Sequence, residues 1–209
     1  MRQTRAQQKE QTRRKLIEAA LAMVGGGQTL DGLSLREVAK QAGIAPTSFY
    51  SHFADTNALG VVLIDEACLT LRQLMRQGRR EMIAEDNNFA IRQSVLRFVN
   101  YLDQNAGLLR LIVRERFGGN EAFRRTIQRE LRFIVDELAE DIERVVVEQQ
   151  RLAIDTRLVA EAATLVLFDF GAGALDMSRT DREIAAERMV RKLTLIFLGG
   201  RALAANKSL

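Results

Sequence analysis

Apolar residues recur at three- and four-residue spacing along most of the chain, the period of helices and not of strands. Leu16, Ala19, Ala20 and Met23 form one stripe and predict a first helix over about 6–24, stopped by Gly25-Gly26-Gly27. Leu35, Val38 and Ala39 mark a short second helix. Ser34 stands at its N-cap with Glu37 three residues on, the spacing of a capping box. Gly43 breaks this helix where a left-handed backbone costs least, and Ile44 follows as an apolar plug. Pro46 opens a third helix over 46–52, at a position that does not need its missing N–H. Asp55-Thr56 caps a long fourth helix over about 56–85. Its first part, LGVVLIDEACLTL, is apolar nearly all round and reads as buried, so Asp65 and Glu66 within it call for arginine partners. Further helices are predicted over about 89–103, 105–116, 121–149, 156–177 and 182–204. The breaks fall at Asn87-Asn88, Gly118-Gly119, the polar turn before Asp155 and the SRTD of 178–181. The expected fold is all-α with nine helices: three in a head, residues 1–55, and six in a body, residues 56–209.

Composition supports this and removes several function classes. One proline in 209 residues suits a helical chain, and a 47% hydrophobic share can fill a large core. The single Cys68 rules out an internal disulfide framework and fits a reducing cytoplasm. The first fifteen residues are polar, unlike a secretory signal. No run of eighteen apolar residues exists; the nearest, 158–175, carries Glu161 and Asp169, so no membrane span is expected. The net charge of +4 is uneven: residues 1–55 hold 8 Lys and Arg against 5 Asp and Glu, the remaining 154 hold 23 against 22. That places the positive excess on the head, as phosphate binding requires. Catalysis has little to work with. The lone His52 lies in the third helix and Cys68 in an apolar run, so no nucleophile–base pair is expected. There is no glycine-rich phosphate loop, HExxH or CxxC, and one His with one Cys gives no metal site.

The third helix has two unlike faces. Phe49 and Phe53 are four apart and point inward together. Thr47, Ser48 and Ser51 lie on the other side, flanked by Tyr50 and His52. Small hydroxyls beside such donors suit base edges and phosphates. The only proline, the only histidine and one of two tyrosines fall within 46–52. The pair of helices reads as a helix-turn-helix with 46–52 as recognition helix. Arg2, Arg5, Lys9, Arg13, Arg14 and Lys15 make a basic entry to it, suited to flanking phosphates or a minor groove.

The segment LSLREVAKQAGIAPTSFYSHFADTNAL resembles the DNA-binding signature of TetR-family transcriptional repressors, through Val38-Ala39, Ala42-Gly43, Tyr50, His52-Phe53, Asp55 and Leu59. Thr56 departs from it, standing where the wider family often carries a lysine that contacts a phosphate. RAQQKEQTRRKLIEAA, RQLMRQ, LRLIVRERFG and GAGALD extend the resemblance to the TetR-type regulators of unsaturated fatty-acid synthesis, the FabR- and DesT-like proteins. The resemblance implies a TetR-like fold: a helix-turn-helix head that binds a palindromic operator in double-stranded DNA, and a helical body for ligand binding and dimerisation. DNA contacts are expected from Arg5, Arg13, Ser34, Leu35, Arg36, Ala45, Pro46, Thr47, Ser48, Tyr50, Ser51 and His52. Thr47, Ser48 and Tyr50 would approach base edges; Ser34, Tyr50 and His52 would hold phosphates. A homodimer is expected through the last two helices, whose small residues Gly171 to Ala174 and Gly199-Gly200 let backbones approach, although packing within one chain would use them equally.

In the body, LRLIVRERFGGNEAFRR sets Arg110, Arg114, Arg116, Arg124 and Arg125 among Leu111, Ile112, Val113, Phe117 and Phe123. This is either a salt-bridged core edge or a mouth where arginines meet an anionic head group above an apolar tunnel. The regulators this chain resembles sense long-chain acyl-CoA thioesters. The ligand residues expected on that basis are Phe98, Leu108, Leu111, Ile112, Arg114, Phe117, Phe133, Leu165 and Phe168. The resulting expectation is a cytoplasmic, ligand-responsive repressor of fatty-acid desaturation genes. It is not an enzyme and has no cofactor or metal; long-chain acyl-CoA is its effector. A TetR-type regulator of efflux genes sensing a hydrophobic drug, and a CoA-thioester-binding enzyme or carrier, are the alternatives.

Overall fold

The computed structural model describes residues 4–80, 87–148 and 154–207. Eight helical runs follow one another: α1 (Arg5–Gly25), α2 (Leu35–Gln41), α3 (Pro46–Phe49), α4 (Thr56–Arg80), α5 (Asn87–Arg116), α6 (Glu121–Glu148), α7 (Thr156–Ala174) and α8 (Arg179–Lys207). α5 is kinked at Asn105, whose φ of −132° and ψ of 26° are not helical. Its two straight parts bring the described residues to nine helices and no strand, the all-α TetR-like arrangement expected. Arg2, the expected end of the fourth helix at 85, and the turn from 149 to 153 lie outside the described residues.

Helix starts are fixed by side chains that accept the otherwise orphaned first amides. Thr4 and Gln7 form a reciprocal capping box on α1, at 3.3 and 2.9 Å. Asp55 accepts from the Ala58 amide at 2.7 Å to start α4, and Asp155 from Leu158 at 3.0 Å to start α7. Asn120 accepts from Ala122 and Phe123 to start α6, and its amide donates to Asn57 at 2.6 Å. Two sequence expectations change here. SRTD does not separate helices: Ser178 accepts from the Asp181 amide and donates to its carboxylate, so the tetrapeptide opens α8. Asn87-Asn88 likewise opens α5 instead of breaking the pattern.

The chain forms two compact units, Met1–Cys68 with Asn105–Gln128, and Leu69–Gln104 with Arg129–Leu209. In the first, Leu16, Ala20, Val38, Phe49, Leu59, Leu63, Ile64, Leu109 and Ile127 have no exposed surface. Val24, not Met23, completes the α1 stripe. Two glycines allow close approach in this unit. A side chain at Gly60 would strike the Phe123 ring at 2.6 Å, and one at Gly107 would lie 2.8 Å from the Gly25 carbonyl oxygen. In the second unit, Ile91, Val95, Ala163, Ala186, Met189 and Leu193 form one buried cluster, and Val135, Ile142, Val159 and Ala160 another. Gly200 sits against Val159, so that part of the small-residue pattern serves packing within the chain, whereas Gly199 has open space beside it.

The α1–α5 contact is backbone on backbone, so it cannot yield by a rotamer change. Gly107→Ala should lower stability by about 1–3 kcal/mol, as overpacked positions do. Gly119→Ala, at a site with nothing within 4 Å, should leave it unchanged. Thermal melts of the two variants side by side check this; equal midpoints would remove the contact as a constraint.

Candidate nucleic-acid interface

The site begins with how α2 ends. Gly43 has φ of +69°, a left-handed conformation that costs glycine nothing. Its amide bonds to the Lys40 carbonyl at 3.1 Å, and the Ile44 amide bonds to Ala39 at 2.9 Å. These are the two bonds of a Schellman turn. The turn aims Pro46 into the first position of α3, preceded by extended Ala45 at φ of −61° and ψ of 134°.

α3 is anchored from below. Phe49 is fully buried and Phe53 nearly so, with ring centroids 5.5 Å apart. Tyr50 meets Phe49 edge-on at 6.0 Å, and the Arg13 guanidinium of α1 lies 4.5 Å over the Phe53 ring. The regular helix is shorter than expected: it stops at Phe49 and not at 52. Beyond it the turn tightens, with Ser51 bonded to Ser48 at 3.1 Å, His52 to Phe49 at 2.8 Å and Phe53 to Phe49 at 3.0 Å. Three-residue closure is how helix ends satisfy their last carbonyls.

What this leaves outside is a mostly polar set. Arg5, Ser34, Arg36, Ala45, Pro46, Thr47, Tyr50 and Ser51 are exposed; Arg13, Leu35, Ser48 and His52 are half-buried. Ser34 has the extended backbone of an N-cap, but its side chain makes no capping bond, so the expected box with Glu37 does not form. Its hydroxyl stands at the start of α2, where the helix dipole favours anions. Burial lowers the pKa of His52, Lys9 and Arg13 lower it further, and Glu10 opposes them. The imidazole is thereby biased to its neutral form, and its Nδ1 is buried without a hydrogen-bond partner. The surface therefore offers hydroxyl, phenol, imidazole and guanidinium groups over a rigid aromatic base, suited to hydrogen bonding with base edges and phosphates.

Residues 16–60 match the family model of the bacterial regulatory proteins of the tetR family. Over that segment the chain is similar to the DNA-binding domain of TetR-family transcriptional regulators. The match covers the second half of α1, all of α2 and α3 and the start of α4, and so most of the surface just described; Arg5 and Arg13 lie before it. Solved structures extend the likeness in fold along the chain. A regulator assigned to the TetR family from Mesorhizobium loti superposes with a TM-score of 0.71 at 18% identity, covering 94% of this chain and 98% of its own. NemR from E. coli, in its reduced form, gives 0.71 at 16% identity, with 89% and 97% covered. FadR from Bacillus subtilis, in complex with stearoyl-CoA, gives 0.63 at 16% identity, with 88% and 96% covered.

The residues expected at a ligand are dispersed. In the first unit Leu111 and Ile112 are buried and Leu108 half-buried; Arg114 is exposed beside the buried Glu115 at 3.3 Å. Phe117 is 80% exposed, with the Arg116 guanidinium 5.5 Å over its ring. Arg124 is occupied with the Gly118 carbonyl at 2.5 Å. In the second unit Phe98 and Phe168 line a small void of about 10 Å³ together with Leu71, Met75, Leu131, Ile134, Thr164 and Leu167. Phe133 and Leu165 are exposed, and the Arg72 guanidinium covers the Phe133 ring at 5.4 Å. The six further lining residues were missed because a single apolar stripe does not reveal which neighbours enclose empty space. Among the described residues no cluster of three His, Cys, Asp or Glu could hold a metal, and no helix is long and apolar enough to cross a membrane.

The depressed His52 pKa has a signed consequence. Below the ordinary value of about 6.5 the unfolded chain binds a proton that the folded head resists, so stability falls as pH drops through that value. The loss stops once pH is below the folded pKa. His52→Gln should flatten the curve as pH falls through about 6.5, in denaturant unfolding read at each pH. Parallel curves for variant and wild type would exclude His52 as the source.

Proposed function

We propose that this chain is a homodimeric, ligand-responsive repressor of fatty-acid desaturation genes whose effector is a long-chain acyl-CoA. The observation that carries the DNA-binding part is the hydroxyl-rich face of α3, held outward by buried Phe49 within a TetR-type segment. Thr47, Ser48 and Tyr50 read base edges; Ser34, His52 and the basic residues of α1 hold phosphates. The fold likeness to a FadR crystallised with stearoyl-CoA supports the effector. The dimer draws on apolar side chains left outside on the last two helices: Leu158 and Leu165 on α7, and Ile184, Leu195, Leu198 and Leu203 on α8. Such a set exposed on adjacent helices invites a matching copy.

Two heads of a dimer must meet major grooves about 34–36 Å apart, so an effector that favours one spacing shifts binding by its differential affinity. Four measurements test the proposal. With roughly 6–10 phosphate contacts, raising salt from about 50 to 200 mM should weaken operator binding about 10³–10⁵-fold. Thr47→Ala should relax sequence choice in selection from random DNA while leaving that salt slope intact; an unchanged preference removes Thr47 from the readout. Oleoyl-CoA and palmitoyl-CoA should shift operator binding by different amounts, and coincident titrations would end the acyl-chain part of the proposal. Leu195→Glu with Leu198→Glu should yield a monomer on size exclusion and weaken operator binding; a dimer that persists places the seam elsewhere.

A further inference from the structure

The net charge of +4 lies wholly on the first unit. Met1–Cys68 with Asn105–Gln128 holds 13 Lys and Arg against 9 Asp and Glu, whereas Leu69–Gln104 with Arg129–Leu209 holds 18 of each. Met1–Cys68 has 8 against 7, so the excess comes mostly from 105–128, where Arg110, Arg114, Arg116, Arg124 and Arg125 meet only Glu115 and Glu121. The sequence also shows where cations are missing. No Lys or Arg occurs between Lys40 and Arg72, a stretch that holds all of α3 and the start of α4. α1 brings Arg13 over Phe53, but neither α3 nor the start of α4 offers a cation of its own. A duplex that seats α3 in a groove carries phosphates on both walls of that groove.

Packing brings the arginines of 105–128 to the α4 side. Asn120 donates to Asn57, in the first turn of α4, at 2.6 Å, and the Phe123 ring lies against Gly60. The turn from α5 into α6 is thereby held beside the helix start that follows Phe53. Arg124 fixes the shape of the turn by donating to the Gly118 carbonyl at 2.5 Å. Arg116 ends α5 with its guanidinium 5.5 Å over the ring of Phe117, which is itself 80% exposed. A guanidinium stacked on a ring keeps its edge donors for bidentate bonds to phosphate. Arg125 pairs with Glu121 at 3.7 Å, both exposed, a contact worth little in water. We propose that Arg116 and Arg125 form a second phosphate-contacting surface, which grips the DNA backbone on the α4 side of α3 and complements the cations of α1. This rests on the reading that α3 enters the operator, and it adds residues from a segment distant in sequence. Such contacts raise affinity without reading bases.

The test uses the full chain and a duplex recovered with it by selection from random DNA, long enough to leave about one helical turn on each flank. Arg116→Gln and Arg125→Gln should each lower the slope of log affinity against log salt by about 0.9 per bound subunit. Binding at about 0.1 M salt should then fall about eightfold per subunit, with little change at about 1 M. Sequence preference should stay that of wild type. Arg116→Lys and Arg125→Lys should recover most of the slope. Arg144→Gln with Arg157→Gln, at exposed arginines of the second unit, removes as much charge as the Arg116→Gln, Arg125→Gln double variant and should leave the slope intact. A wild-type slope in both glutamine variants overturns the proposal, as does an equal loss in the second-unit control. Loss of the oleoyl-CoA response with the slope unchanged would make these arginines an effector site and overturns it too. If no duplex is recovered, or wild-type binding ignores salt, the DNA-binding reading falls as well. If Thr47→Ala relaxes sequence choice while the arginine variants behave as wild type, only this surface falls.

Discussion

The burial of Phe49 is the constraint on which the DNA-binding surface depends. α3 has four regular residues, far below the length at which a helix holds itself in water. Its orientation comes from what its inner side chains do. Complete burial of one phenylalanine contributes about 1.5–3 kcal/mol, and Phe53 adds a second ring at 5.5 Å. Arg13 closes that base from the α1 side by lying over Phe53. Once the inner face is fixed, helical geometry places Thr47 and Ser51 outside with no further freedom. Tyr50 is steadied by its edge contact with Phe49, yet remains 65% exposed. A recognition surface built this way needs little rearrangement on meeting a partner.

Much of this head was legible in the sequence because its signals are local. Gly43 announces a left-handed residue wherever it lies, and the two turn bonds around it follow from chain geometry. Pro46 and the Phe49–Phe53 spacing act over one turn. The capping signals were less secure for a physical reason. A hydroxyl can accept an amide or face solvent, and the difference between the two is about 1 kcal/mol. Ser34 takes the outward choice, whereas Thr4 makes the box with Gln7 in a stretch that read only as basic. Likewise the end of α3 depends on whether its last turn closes over three residues or four, which the sequence leaves open.

The second unit shows what periodicity cannot supply. It locates helices well, since α6 and α7 start where expected. It does not say which apolar position faces a hollow. Phe133 and Ile134 are neighbours on α6, about 100° apart around the axis. The larger ring is on the surface and the smaller side chain lines the cavity. On α7, Leu165 is exposed while Thr164 is enclosed, the reverse of what polarity alone suggests. α7 is apolar on most of its circumference, so polarity gives no azimuth for it. Only the packing partners decide, and these come from α4, α5 and α6, distant in sequence.

The charged residues of α4 and α6 tie those two helices together. Arg72 reaches Glu130 at 3.1 Å and Glu137 at 3.3 Å, and Arg76 reaches Glu137 at 2.9 Å. Glu130 is buried and Glu137 largely covered. Ion pairs in such surroundings contribute little net stability, but breaking one leaves an uncompensated charge, so they resist sliding of one helix along the other. Leu71 and Met75 belong to the same stretch of α4 and face the cavity. The lower turns of α4, through Leu59, Leu63, Ile64 and Ala67, are themselves core of the first unit.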